Sequence, residues 1–108
     1  MVIHFECPYL GSTVELGQER IDHIQRRHGH TWPELEAEIQ MTLAEPELVR
    51  RSGRDPQTRL FSRYFDTIRT GRYMVVVTVS EHEPPRHWIV TAYTARRISG
   101  GTQEWSQD

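Results

Sequence analysis

The stretch Tyr73-Met74-Val75-Val76-Val77-Thr78-Val79 constrains the fold more than any other in the chain. Successive side chains of an extended strand point to opposite faces, and here both faces are apolar. Such a strand has to be covered on both sides, which places it at the centre of a sheet. Its neighbours in sequence supply the partners. Arg59–Thr67 precedes it across a Thr70-Gly71 turn, and Trp88–Thr94 follows it across a Pro84-Pro85 loop. Leu48–Arg51, ahead of the turn Gly53-Arg54-Asp55-Pro56, adds a fourth short strand. Connections this short join antiparallel strands.

Ahead of these strands the apolar period changes. From about Leu16 to His28 the pattern is helical, with Ile21, Ile24 and His28 at i, i+3 and i+7 and Gly29 as the stop. Thr31-Trp32-Pro33-Glu34 has the spacing of a capped helix start, with Pro33 in the first turn. Leu35, Ile39 and Leu43 then form the apolar stripe of a second helix that ends before Pro46. Val2–Phe5 reads as a short first strand, followed by a turn over Pro8–Ser12. The expected architecture is α+β: two N-terminal helices packed on one face of a roughly four-stranded antiparallel sheet, whose other face stays partly open for a site. Residues 1–97 are expected to form a single domain with its core in about 16–95. Residues 98–108 are polar and contain glycine, and read as a flexible tail in which Trp105 is the one docking point.

The chain has 108 residues, 36% hydrophobic and 26% charged, which suits one globular domain and excludes wholesale disorder. It contains no run of about 18 apolar residues, so no membrane span is expected. Its first residues lack the basic region and apolar stretch of a signal peptide, which makes a cytoplasmic location the expectation. Cys7 is the only cysteine, so neither an internal disulfide nor a cysteine-based metal cluster can form. The net charge of −2 is unevenly divided: residues 1–49 hold nine acids and three arginines, and residues 50–108 hold ten arginines and six acids. Within 50–72 there are seven arginines against Asp55 and Asp66, which predicts a positive patch on an acidic body. All 13 cations are arginine, the side chain whose planar fork grips phosphate in a bidentate way, although the codon bias of a GC-rich genome gives the same composition. With no lysine, Schiff-base chemistry is excluded.

Three groups of residues point to chemistry. In Trp88–Thr94, alternation puts Thr91 and Tyr93 on one face and Val90 and Ala92 on the other. Their hydroxyls suit phosphate oxygens, although a half-exposed strand of good β-formers looks the same. In Arg20–His28, a helix clusters Arg20, His23 and Arg27 on one arc, and His28 lies at its end beside the apolar stripe. A half-buried histidine among cations can act as a general acid or base near neutral pH, and equally can do no more than face the helix dipole. In Arg59–Phe65, Arg59, Phe61, Arg63 and Phe65 share one face, either tracking a phosphate backbone or anchoring a core with arginines reaching past it. Metal ligation fits poorly, because His23 and His28 are separated by about 140° around a helix while paired zinc ligands prefer i, i+4. No P-loop, dinucleotide glycine pattern or serine elbow is present, so no cofactor is expected. A histidine, several arginines, a threonine and a tyrosine suit metal-independent RNA cleavage, where the ribose 2′-hydroxyl supplies the nucleophile. The same residues also suit a non-catalytic module that binds protein or nucleic acid through its arginine-bearing strand.

Taken in order, Arg20-Ile21-x-His23-Ile24-x-x-Arg27-His28, then Pro46-x-x-Val49 before a basic turn, then Tyr73-x-Val75-Val76-Val77, then Val90-Thr91-Ala92-Tyr93-Thr94, resemble the barnase–EndoU–colicin–RelE-like ribonucleases. The likeness covers about residues 16–95 and lies nearest the small phage and toxin branch. It implies a toxin-like endoribonuclease that needs no metal and is neutralised by a protein antitoxin or immunity partner. Carried over by position, His28 and then His23 are the acid and base candidates, with Thr91 and Tyr93 lining the site. Arg27, together with Arg54, Arg59 and Arg63 from the basic segment, would hold the RNA phosphates.

Overall fold

The structure, a computed structural model, describes all 108 residues. The strands are β1 (Val2–Cys7), β2 (Ser12–Gly17), β3 (Leu48–Arg51), β4 (Thr58–Phe65), β5 (Arg72–His82), β6 (Pro85–Ala95) and β7 (Thr102–Ser106). The helices are α1 (Gln18–Arg27) and α2 (Glu36–Ala44), with a 3-10 turn over Pro8–Leu10. One sheet contains all seven strands in the order β1-β2-β6-β5-β4-β3-β7. β5, which carries the doubly apolar stretch, occupies the middle of that order, and Val75 and Val76 are both buried on its opposite faces.

This corrects the expected architecture of two helices on a four-stranded antiparallel sheet. The run β3-β4-β5-β6 is antiparallel throughout, but the sheet as a whole is mixed and nearly twice as wide. On one side β1 and β2 form a hairpin, and β2 joins β6 in parallel through the pair Glu15 and Trp88. Leu16 therefore ends a strand instead of beginning a helix. Val14 and Leu16 are fully buried while Thr13 and Glu15 between and before them are not, so the segment has a period of two. On the other side, residues 98–108 are not a loose tail: Thr102–Ser106 pairs antiparallel with β3, and the Gln107 N–H donates to the Glu47 carbonyl at 2.9 Å. α2 also begins later than its capping pattern suggests. Trp32 is buried edge-on to Phe5, and residues 31–35 form turns that precede Glu36.

One face of the sheet carries the core. Ile21 and Ile24 of α1 and Ile39 and Leu43 of α2 pack with Phe61, Met74, Val76, Ile89 and Ala92 of the sheet in one cluster. Neither helix has a side-chain hydrogen bond at its N-terminus. Burying one such aliphatic side chain contributes about 1.5–3 kcal/mol, against about 1 kcal/mol for a cap. Packing therefore holds the helices where they are.

The opposite face has no helix. Val75 is buried there without joining the core cluster. Its cover follows from topology. β6 ends level with the start of β5, whereas β7 begins level with Arg51, so the chain between Ala95 and Thr102 crosses β5, β4 and β3 diagonally. It crosses on the helix-free face, where an Arg50 Nη1–H donates to the carbonyl oxygens of Ser99 and, at 2.5 Å, Gly100.

Candidate active site

A single inserted residue in β6 creates the site. Thr78 pairs with Ile89 and Val77 with Thr91, which leaves Val90 without a partner as a bulge. Without the bulge, Ile89, Thr91 and Tyr93 would share a face. With it, Ile89 enters the core while Thr91 and Tyr93 turn to the helix-free face, in the same rows as Val77 and Val75. The Val90 carbonyl accepts a hydrogen bond from Arg20 Nη1 at 3.4 Å, so α1 runs along the edge of β6 that β2 leaves uncovered.

This path brings the end of α1 to Tyr93. His28 caps the helix, and its backbone N–H donates to the Ile24 carbonyl at 2.7 Å. Its imidazole packs on the Tyr93 ring at 5.5 Å between centroids and 36° between planes. His23 stands 6.4 Å from His28 by the same measure. Burial holds His28 below the ordinary imidazole range, and the charges of His23 and Arg27 push the same way. His23 is likewise lowered, by desolvation and then by Arg20, Arg27 and Arg26. Both lowered rings favour the neutral form near pH 7, and both stand among the arginines of α1. Arg20 shares one guanidinium nitrogen with the exposed carboxylate of Glu19 at 2.8 Å, and Arg27 is exposed in the last helical turn.

The structure thus brings His23, His28, Arg27 and Tyr93 together, and Thr91 lies one row along the same strand face. It does not bring Arg54, Arg59 or Arg63 to them. Arg54 is exposed in the turn between β3 and β4. Arg59 and Arg63 lie on the core-bearing face, in register with Thr78 and Met74. Arg59 donates to the Glu104 carboxylate at 2.9 Å, and Arg63 donates to the Glu45 carbonyl at 2.7 Å. The alternating arginines and phenylalanines of β4 therefore fasten a core, with Phe61 fully buried between them. His82 bonds Gln57 at 3.0 Å and His87 bonds the Ser80 hydroxyl at 2.7 Å.

Arg50 is the residue that sequence reasoning passed over. It is only 4% exposed and lies in the row of Thr91, with the strands of Leu60 and Val77 between them. Burial lowers its pKa, and the nearby Tyr93 opposes that shift. The signal was available in strand alternation, since Val49 in the core puts Arg50 on the other face. The residues hold no group of three or more His, Cys, Asp or Glu side chains placed to bind a metal ion. No helix is long and apolar enough to cross a membrane. In comparison with known proteins, the chain matches no family model, no curated protein and no solved structure.

Proposed function

We propose that the protein is an endoribonuclease that cleaves RNA without a metal ion, through attack of the ribose 2′-hydroxyl on the adjacent phosphate. The observation that carries this reading is the packing of His28 on Tyr93 with His23 beside them. A neutral His28 takes the 2′-hydroxyl proton as the 2′-oxygen bonds to phosphorus. The phosphorus–5′-oxygen bond breaks, and the Tyr93 O–H protonates the departing oxygen. The products are a 2′,3′-cyclic phosphate and a 5′-hydroxyl. Arg20 and Arg27 offset the charge of the phosphorane, and His23 holds the phosphate from the helix side. In a cell such an activity behaves as a toxin and calls for a neutralising protein partner.

The test is incubation of the purified chain with RNA in EDTA. Cleavage with cyclic phosphate ends is expected, together with growth arrest on expression. RNA that is bound but stays intact from pH 5 to 8 would instead identify a binding module.

A further inference from the structure

Two non-glycine residues adopt the left-handed backbone conformation, His30 at φ +74° and Arg69 at φ +54°. Residues with a side chain keep that conformation only where their surroundings hold them in it, and they gather at ligand sites. Here both line one pocket of about 210 Å³, walled by the loop after α1, the turn joining β4 to β5, and the end of β6. A water molecule's share of liquid is about 30 Å³, so the space admits a phosphate group. Thr31, Thr67 and Thr94 bring three hydroxyls to the wall, and no carboxylate lines it. Thr42 and Thr58 engage their hydroxyls within the protein; the three at the pocket do not. The capping position of α2 is Leu35, so Thr31, although only 4% exposed, does not serve as a helix cap. Arg69 is exposed and forms no ion pair, and His30 has only Glu34, 3.7 Å away at the surface.

This pocket begins where the contact between His28 and Tyr93 ends. Gly29, which follows His28, and Thr94, which follows Tyr93, both belong to its lining. We propose that it binds a phosphate group, the one next to the scissile phosphate along the same RNA strand. That identity rests on the ribonuclease reading; the oxyanion chemistry rests on the pocket's own donors. A guanidinium presents paired N–H donors to a tetrahedral oxyanion, and the hydroxyls add neutral donors. Without a carboxylate in the wall, nothing there repels the anion. Thr94 points to the opposite sheet face from Tyr93. A bound strand therefore turns round the edge of β6 that β2 leaves uncovered, beyond the end of α1.

The backbone conformation of Arg69 allows a test in which binding and folding move apart. Thermal unfolding of the full chain is followed with inorganic phosphate or with a 2′-deoxy oligonucleotide, which cannot be cleaved by 2′-attack. The wild type is expected to melt higher as either ligand is raised. Arg69→Gly suits the left-handed conformation, so without ligand it is expected to melt no lower than wild type. It is also expected to bind about tenfold more weakly. Thr67→Val/Thr94→Val keeps the shape of both side chains and removes the hydroxyls, and the same about tenfold loss is expected. Arg69 also carries a charge that acts at a distance, so the threonine pair decides. Each measurement is repeated in a His28→Ala background, so that anions held by the helix histidines are not counted. A response to inorganic phosphate assigns a free oxyanion; a response to the oligonucleotide alone assigns the diester backbone. Unchanged affinity in the threonine double variant, or no ligand effect in the wild type, overturns the pocket's assignment. Weakened binding in a chain that cleaves no RNA keeps the phosphate pocket and removes the ribonuclease reading. Cleavage with unchanged affinity does the reverse.

Discussion

The imidazole of His28 and the phenol of Tyr93 lie 5.5 Å apart by ring centroid, joining the end of α1 to the edge strand of the antiparallel run. Neither element reaches the other by itself. α1 leaves β2 at Gly17 and is held against β6 by Arg20, and the Val90 bulge turns Tyr93 toward it. The contact joins a proton acceptor held neutral by its surroundings to a hydroxyl donor.

The first consequence is a pH dependence of known sign. His28 and His23 are lowered in the folded chain, so below the ordinary imidazole pKa the unfolded chain binds more protons than the folded one. Stability of the free protein is therefore expected to fall as pH drops from about 7 to 5. An anion at the cluster reverses the effect by favouring the charged rings. Affinity for a 2′-deoxy oligonucleotide should rise over the same interval, with proton uptake in calorimetry. Affinity that is flat with pH would show that the histidines do not face the ligand.

Much of the framework was legible. The doubly apolar 73–79 stretch is central, and the turns at Thr70-Gly71 and Pro84-Pro85 lie where β4, β5 and β6 meet. What escaped was decided by pairing, which a single segment does not reveal. Ser12–Gly17 is too short for its alternation to compete with the helical pattern that follows, and its partners lie in β1 and β6. Thr102–Ser106 is polar because it closes the sheet at an edge, where only β3 needs its backbone. Alternation grouped Thr91 with Tyr93 but gave no sign of the Val90 bulge that separates both from Ile89. In β4 alternation grouped Arg59 with Phe61 and Arg63, and only the sheet's packing shows that this is the core side.

The arginines accordingly divide by position. Arg20→Glu and Arg27→Glu should each weaken oligonucleotide binding roughly five- to tenfold, with steeper loss at low salt. Arg54→Glu, in the exposed turn between β3 and β4, should change it less than twofold. Filter binding at two salt concentrations separates these outcomes. An Arg54 effect as large as that of Arg27 would move the interface to the other end of the sheet.

Closure of the sheet by β7 depends on Glu104. Burial would raise its carboxyl, but hydrogen bonds from Tyr9, Arg59 and Arg51 prevail and bring it to about 2. The same contact raises Tyr9 to about 12, after the larger effect of its own desolvation. A carboxylate with a depressed folded pKa stabilises above its unfolded value and loses that contribution as pH falls from about 5 toward 2. Glu104→Gln should cost about 1–2 kcal/mol at pH 7, allowing for solvent screening. It should cost much less near pH 2, as read from denaturant unfolding at both pH values.

Gly101 lies at the far end of the chain that crosses the helix-free face between Ala95 and Thr102. Its φ is +72°, and an added Cβ would stand 2.8 Å from the Arg51 carbonyl oxygen, a backbone atom with no freedom to turn aside. Gly101→Ala should destabilise by roughly 1–3 kcal/mol. Amide exchange should show the loss first in β7 and the Ser99 region. Uniform loss across the sheet would mean that the crossing segment and β7 are not a separable unit.

The most direct measurement is cleavage of a defined RNA in EDTA by wild type, His28→Ala and Tyr93→Phe, each first matched for thermal stability. Tyr93→Phe keeps the ring that packs on His28 and removes only the hydroxyl. Wild type is expected to yield 2′,3′-cyclic phosphate ends, and each variant to lose roughly 10²–10⁴-fold in rate. Wild-type rates in both variants, or RNA left intact by the wild type, would contradict the pairing of His28 and Tyr93 as base and acid.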